Sequence, residues 1–110
     1  MRFVIEIIIN PNTMTVIKLN DQVLKLRGTI CSDDVVQTQK IIISALSQAR
    51  NLILNLDKIK EVDLEGVYML YLLKEEAFKR NKRINIIGIK KPNVSEVFEL
   101  AGMQINKIPA

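Results

Sequence analysis

The stretch from Asn51 to Arg80 limits the possible folds more sharply than any other part of this chain. It opens on a short aliphatic run, Leu52-Ile53-Leu54-Asn55-Leu56, too short for a helix and rich enough in branched residues for a strand. A polar connector follows, Asp57-Lys58-Ile59-Lys60-Glu61. From Val62-Asp63-Leu64-Glu65-Gly66 onward, apolar residues recur at helical spacing as far as Arg80. Strand then helix is half of a βαβ unit, which implies an α/β domain. The density of aliphatic residues in the strand predicts a central parallel position, buried on both faces. The turn between strand and helix lies where ligands and modifications gather in open α/β sheets.

The rest of the chain extends this pattern. Phe3 to Ile9 is a β-branched run closed by Asn10-Pro11-Asn12, and Pro11 has no N–H to give a ladder. Met14 to Leu19 and Val23 to Leu26, separated by Asn20-Asp21, read as a hairpin. Thr15, Ile17 and Leu19 face one side of it, Val16 and Lys18 the other. Three strands before any helix point to a mixed sheet rather than a simple doubly wound order.

Thr29 to Asp34 carries helix-start chemistry. Ser32 or Asp33 is the expected cap, with Asp34 adding negative charge to the first turn. Val35, Thr38 or Gln39, Ile42, Ala45 or Leu46, and Ala49 then mark a buried helical stripe. In the helix after Glu65 the stripe is Val67, Leu70, Leu73 or Lys74, and Ala77, widened by Met69, Tyr71, Leu72 and Phe78. Glu75 with Lys79 and Glu76 with Arg80 are spaced as ion pairs. Ile84 to Ile89 is a further strand. Pro92 suits the first turn of a last helix, and Gly102 its C′ position. Gln104 to Ala110 is expected to add a short edge strand.

Composition narrows the chemistry. The 110 residues suit a single domain over 1–110. There is no His, which removes the commonest general base and metal ligand, and one Cys, which removes intrachain disulfides and cysteine metal clusters. No Gly-rich phosphate loop is present, since Gly28, Gly66, Gly88 and Gly102 stand apart. The chain therefore reads as non-enzymatic, without cofactor or metal, and suited to a reducing, cytoplasmic compartment. The net charge is +4. Its densest basic spots, Lys79 to Arg83 and Lys90-Lys91, fit a solvated helix end and loop, because cations there complement the helix dipole. With aromatics at only 5%, base stacking and nucleic-acid binding are not expected. The run after Met1 is broken by Glu6 and is far short of the roughly 20 residues that span a bilayer, so neither a signal peptide nor membrane insertion is expected.

Asp33-Asp34 and Glu75-Glu76 are explained by dipole and ion-pair effects. Asp63 and Glu65 differ, because they fall at the helix start after the buried strand. Two readings stand: Asp63 as N-cap with Glu65 as a first-turn acid, or both as part of a functional surface. Gly66 costs helix stability relative to Ala, about 0.5–1 kcal/mol, so a close approach is expected there, by the neighbouring strand or by a partner.

The order of the pieces resembles the STAS domain, the family named for sulphate transporters and anti-sigma factor antagonists. The matching pieces are Leu26-Arg27-Gly28, Leu52 to Leu56, Val62 to Gly66, Ile84-Asn85-Ile86-Ile87-Gly88 and Val97 to Met103. The resemblance runs from about Val16 to Ile108 and leaves residues 1–12 as an added N-terminal strand. It implies a single STAS-like α/β domain, a mixed sheet with helices mainly on one face.

In bacterial antagonists of this family the turn usually reads Asp-Ser-Ser-Gly, and the second Ser is phosphorylated by an anti-sigma kinase, which separates the two proteins. Here Asp63, Leu64, Glu65 and Gly66 occupy those places, so Glu65 is the phosphoacceptor equivalent and lacks the hydroxyl. It sets a permanent negative charge at a helix N-terminus, about one charge where phosphoserine carries nearly two. Cys31 stands where relatives often carry an acidic residue, and it reads as a structural thiol or as a redox sensor. Many relatives continue into a further C-terminal helix, and its absence would expose an apolar patch to a partner or to a second copy in a homodimer.

The resemblance implies a non-catalytic regulatory protein-binding module of the antagonist type. Its expected partner surface is Asp63, Leu64, Glu65, Gly66, Val67 and Tyr68, with Thr29, Ile30, Cys31 and Ser32 beside it. The expected partner is an anti-sigma factor of the kinase kind. The alternative is an assembly subunit docking on another protein, such as an ABC-transporter ATPase.

Overall fold

We describe residues 4–102 of a computed structural model. The expected strand over 104–110 lies outside the described residues. Period-two and period-3.6 segments alternate as the sequence predicts. Strands β1 (Ile5–Asn10), β2 (Met14–Lys18) and β3 (Val23–Ile30) form an antiparallel meander. The chain then crosses through a 3-10 turn (Ser32–Asp34) and helix α1 (Val35–Gln48) to β4 (Asn51–Val62). Helix α2 (Leu64–Lys79) leads to β5 (Arg83–Ile87), and α3 (Pro92–Leu100) follows. The sheet order is β1-β2-β3-β4-β5, with β3, β4 and β5 parallel. The sheet is therefore mixed, and the fold is a single α/β unit.

One core joins the sheet to the helices. Leu24, Leu26, Leu52, Leu54 and Leu56 alternate along their strands and meet Ile42 and Leu46 of α1, Val67, Leu70, Leu73 and Ala77 of α2, and Val94 and Phe98 of α3. The helices thus cover one face of the sheet. The other face carries Thr15, Ile17, Lys25, Arg27, Ile53, Asn55 and Asp57, with a Lys25–Asp57 ion pair at 3.1 Å across it. This corrects the expectation that the central strand is buried on both faces. Both crossovers join parallel neighbours in the same direction along the sheet, and βαβ connections share one hand, so their helices fall on the same side.

A second correction concerns the polar connector after Leu56. Residues 57–62 continue β4 beside β3 as far as the Ile30–Val62 pair. Strict alternation would turn Lys58 inward. Instead the register shifts between Lys25 and Arg27, where β4 carries one extra residue. The shift exchanges parity, so Ile59 enters the core and Lys58 stays in water. Asn55 Oδ1 accepts the Asp57 N–H at 2.9 Å inside this irregularity. Gly88, at φ +81°, closes against it, and a Cβ there would clash with Asn55 Oδ1. Strand β5 ends at Ile87, two residues before the expected Ile89.

Helix ends follow local chemistry in part. Pro92 occupies the first turn of α3. Gly102, at φ +75°, donates its N–H to Glu99 O at 2.9 Å in the expected C′ role. On α2, Glu76 pairs with Arg80 at 3.1 Å, whereas Glu75 lies beside Tyr71 rather than in an ion pair with Lys79.

One-sided burial predicts unequal costs for neighbouring truncations. Leu54→Ala should destabilise by about 3 kcal/mol, because it empties a fully buried site. Ile53→Ala, on the open face, should cost about 1 kcal/mol or less. Urea denaturation of both variants checks this, and equal losses would contradict a sheet covered on one side.

Candidate functional site

The carboxyl ends of β3 and β4 bring two turns together at one rim of the sheet. Residue Asp63 joins them. Its Oδ1 accepts the Gly66 N–H at 2.8 Å, which caps α2, and its Oδ2 accepts the Ser32 N–H at 2.8 Å from the turn after β3. Its own N–H donates to Ile30 O at 3.0 Å. A carboxylate at this place satisfies otherwise orphaned donors and sits at the positive end of the helix.

Gly66 answers the question its position raises. A Cβ there would lie 2.6 Å from Ile30 Cγ2 and 2.9 Å from Ile30 O. The close approach is therefore to the neighbouring strand β3, inside this chain. Helix α2 starts hard against β3, and only Gly leaves room for it.

Glu65 is the second residue of α2, exposed, and in none of the ion pairs among the described residues. Its carboxylate lies exposed at the helix tip. Leu64 and Tyr68 flank it, both nearly half exposed. Thr29 and Cys31 are partly covered and Ser32 is exposed, beside Asp63. Three residues of the expected surface lie elsewhere: Val67 is 0% exposed, Ile30 is 1% exposed, and Gly66 is buried against β3. Val67 and Ile30 point into the core, because Val67 is one turn from Asp63 on the inward stripe and Ile30 ends a strand beneath α2. They hold the turn up from below.

The turn after β3 departs from expectation. Neither Ser32 nor Asp33 caps α1 through its side chain. Cys31 precedes a 3-10 turn, and Asp34 folds inward, only 5% exposed. There it accepts from the Thr13 hydroxyl and from Cys31 Sγ, the latter at 3.3 Å. Thr13 belongs to the β1–β2 turn and reaches the rim because β2 runs antiparallel to β3. Sequence reasoning missed this Thr13–Asp34–Cys31 cluster. Adjacent acids at a helix start look alike in sequence, and only the hairpin's placement tells Asp34 from Asp33. Burial raises the Cys31 thiol pKa, and the Asp34 hydrogen bond and charge raise it further. Such a thiol is a poor thiolate, which favours its structural reading over redox sensing.

The outward face of α2 corrects a further expectation. Tyr71, Leu72 and Phe78 do not widen the buried stripe; they are exposed, Phe78 to 78%. With Leu64 and Tyr68 they recur at helical spacing and form an apolar stripe that starts at the Glu65 turn. Glu75 beside Tyr71 raises the pKa of its phenol.

The family model described as "Mlab, STAS domain" matches residues 13–109. The chain belongs to the STAS domain family. Strand β1 lies ahead of the matched residues. Among solved structures, the fold is similar to the anti-sigma factor antagonist SpoIIAA in its unphosphorylated form, with TM-score 0.66 and 18% identity over 86% of this chain and 89% of that one. It is also similar to the Bacillus cell fate determinant SpoIIAA in the phosphorylated form, with TM-score 0.61 and 17% identity over 86% of this chain and 92% of the other. No curated protein matches the sequence significantly. Among the described residues no helix is long and apolar enough to cross a membrane.

Two substitutions separate the roles at the rim. Gly66→Ala should destabilise by about 1–3 kcal/mol through overpacking against Ile30. Asp63→Ala should cost about 1–2 kcal/mol, the range of a lost cap, with the Ser32 link adding to it. Thermal denaturation checks both. Cys31 supplies a pH test. Its raised pKa means that its stabilising contribution is complete below the unfolded value near 9.0 and is lost as pH rises through the folded value. Iodoacetamide labelling at pH 8 should be slow in the folded protein and faster in Asp34→Asn. Equal rates would remove Asp34 as a cause of the shift.

Proposed function

We propose that this chain is a non-catalytic regulatory protein-binding module of the anti-sigma factor antagonist type, working with a fixed charge at the strand-to-helix turn. The observation that carries this is Glu65, exposed at the tip of α2, two residues beyond the Asp63 cap. An anion is favourable at that tip whether or not it can be removed. Where relatives of the antagonist type present a hydroxyl or a phosphate, this chain presents one carboxylate at all times.

The partner surface is built from Asp63, Leu64, Glu65 and Tyr68, with Thr29, Cys31 and Ser32 beside them. Tyr71 and Leu72 extend it along α2. An exposed apolar stripe next to a charged turn is the composition of a protein interface, with apolar anchors and a polar element that sets orientation. The partner is a kinase-type anti-sigma factor, toward which the fixed charge imitates the phosphorylated state and keeps binding weak.

Glu65→Ser tests this reading. Calorimetry against a kinase-type anti-sigma factor should show tighter binding than the unsubstituted chain gives. The variant should also accept phosphate from ATP on its introduced hydroxyl in the presence of that kinase. No change in either measurement would end the switch-imitating role.

The stripe on α2 supports a second reading. It runs four turns from Glu65 to Phe78, further than a turn-centred switch requires, and suits constant docking of an assembly subunit on an ATPase such as that of an ABC transporter. In that case Glu65→Ser leaves docking unchanged, whereas Leu72→Asp, at an exposed site, weakens it about a hundredfold by burying an unpaired charge. Co-purification and titration with the two variants separate the readings.

A further inference from the structure

Strand β1 is the outermost strand of the sheet, and among the described residues its outer edge meets no other strand. Such edges are commonly blunted by Lys, Pro or inward charge. Between Ile5 and Asn10 the one charge is Glu6, and it is engaged with Arg27 of its own sheet at 3.7 Å. Val4, Ile5 and Ile8 are 56%, 50% and 60% exposed, and Ile7 and Ile9 are only partly covered by the core.

We propose that β1 pairs antiparallel with β1 of a second copy, about a two-fold axis through Ile7, so that one sheet runs through both copies. The residue order selects this register. A two-fold axis normal to the sheet keeps each side chain on its own face, so the axis passes through a residue and not between two. Centred on Glu6, the pairing sets two carboxylates directly opposite each other, which is unfavourable. Centred on Ile8, it sets Ile5 opposite the partner's Pro11, which has no N–H to donate. Centred on Ile7, it sets Ile5 opposite the partner's Ile9, Ile7 opposite the partner's Ile7, and Glu6 opposite the partner's Ile8. Ile5 and Ile7 lie on the helix side of the sheet, as the Ile5–Lys18 and Ile7–Val16 pairs fix, and Ile9, the extra residue at the register shift, packs against the same core. Two copies then join these isoleucines into one apolar row across the axis. The register shift between Ile8 and Asn10 falls on Ile9, so the three central pairs are regular and the outer Ile5–Ile9 contacts lie at the irregularity. This inference stands on β1 alone and does not depend on the partner surface at α2.

The test uses the full chain. Sedimentation equilibrium at micromolar concentrations should show a dimer. With Cys31→Ser as background, Ile7→Cys should form an interchain disulfide on mild oxidation, because directly opposed residues have Cα atoms about 4.5–5.5 Å apart, within disulfide reach. Ile5→Cys, more exposed but distant from its own symmetry mate, should remain uncrosslinked. Two exposed-site variants that leave the core alone give a second reading. Ile8→Glu should weaken the dimer about tenfold by facing the partner's Glu6, and Ile8→Lys should not weaken it. A monomer at every concentration would overturn the proposal. So would a dimer in which Ile5→Cys crosslinks as readily as Ile7→Cys, or in which the two Ile8 variants behave alike.

Discussion

The parallel pairing of β3 with β4 is the interaction on which the rest of this structure depends. These are the longest strands, and they run together from the Val23–Ile53 pair to the Ile30–Val62 pair. Their shared inner face is the row of leucines on which all three helices rest. Their shared end delivers both site turns to one rim. Every extra residue of pairing moves the α2 start further along the sheet edge, so the bulges in β4 are part of how the site is placed. Without the parity change at Asp57, Lys58 would point into the core, and the strand would have to end before reaching Val62.

At the rim, one carboxylate does two structural jobs, and a neighbouring one does neither. Asp63 caps α2 and holds the Ser32 turn, and Gly66 lets the helix sit against Ile30. Both choices follow from packing and hydrogen bonding inside the chain. Glu65 is not needed for that. It adds a modest dipole term at most, about 0.3–1 kcal/mol, and leaves its charge to solvent. A residue that the fold does not require, at the place the fold makes most electropositive, is where a functional reading gains weight over a structural one. The apolar face of α2 supports the same division: Val67, Leu70, Leu73 and Ala77 satisfy the core, and Leu64, Tyr68, Tyr71, Leu72 and Phe78 are surplus to it.

The hairpin in front of the parallel strands also takes part in the site. Thr13 reaches Asp34 only because β2 returns antiparallel along β3 and brings its turn to the carboxyl end of that strand. The buried Asp34 carboxyl and the Cys31 thiol then stiffen the turn that Ser32 presents beside Asp63. The N-terminal strands therefore extend the sheet at one edge and support the rim at one end.

Much was legible in the residues alone. The βαβ order, the hairpin, the inward stripes of α1 and α2, the Asp63 cap and the Gly102 stop all rest on chemistry within a few residues. Hydrophobic period and capping groups act over that distance, so the sequence carries them without help. What lay outside its reach depended on neighbours far along the chain. Whether β4 is covered on one face or two is decided by which side the crossovers take. Whether residues 57–61 are loop or strand is decided by β3 running beside them. Whether Asp34 or Asp33 turns inward is decided by Thr13, and whether Tyr71 and Phe78 are core or surface by how far the helix layer extends. In each case a side chain's own preference is a small term, and burial against a distant partner is a larger one, so tertiary contact settled the outcome.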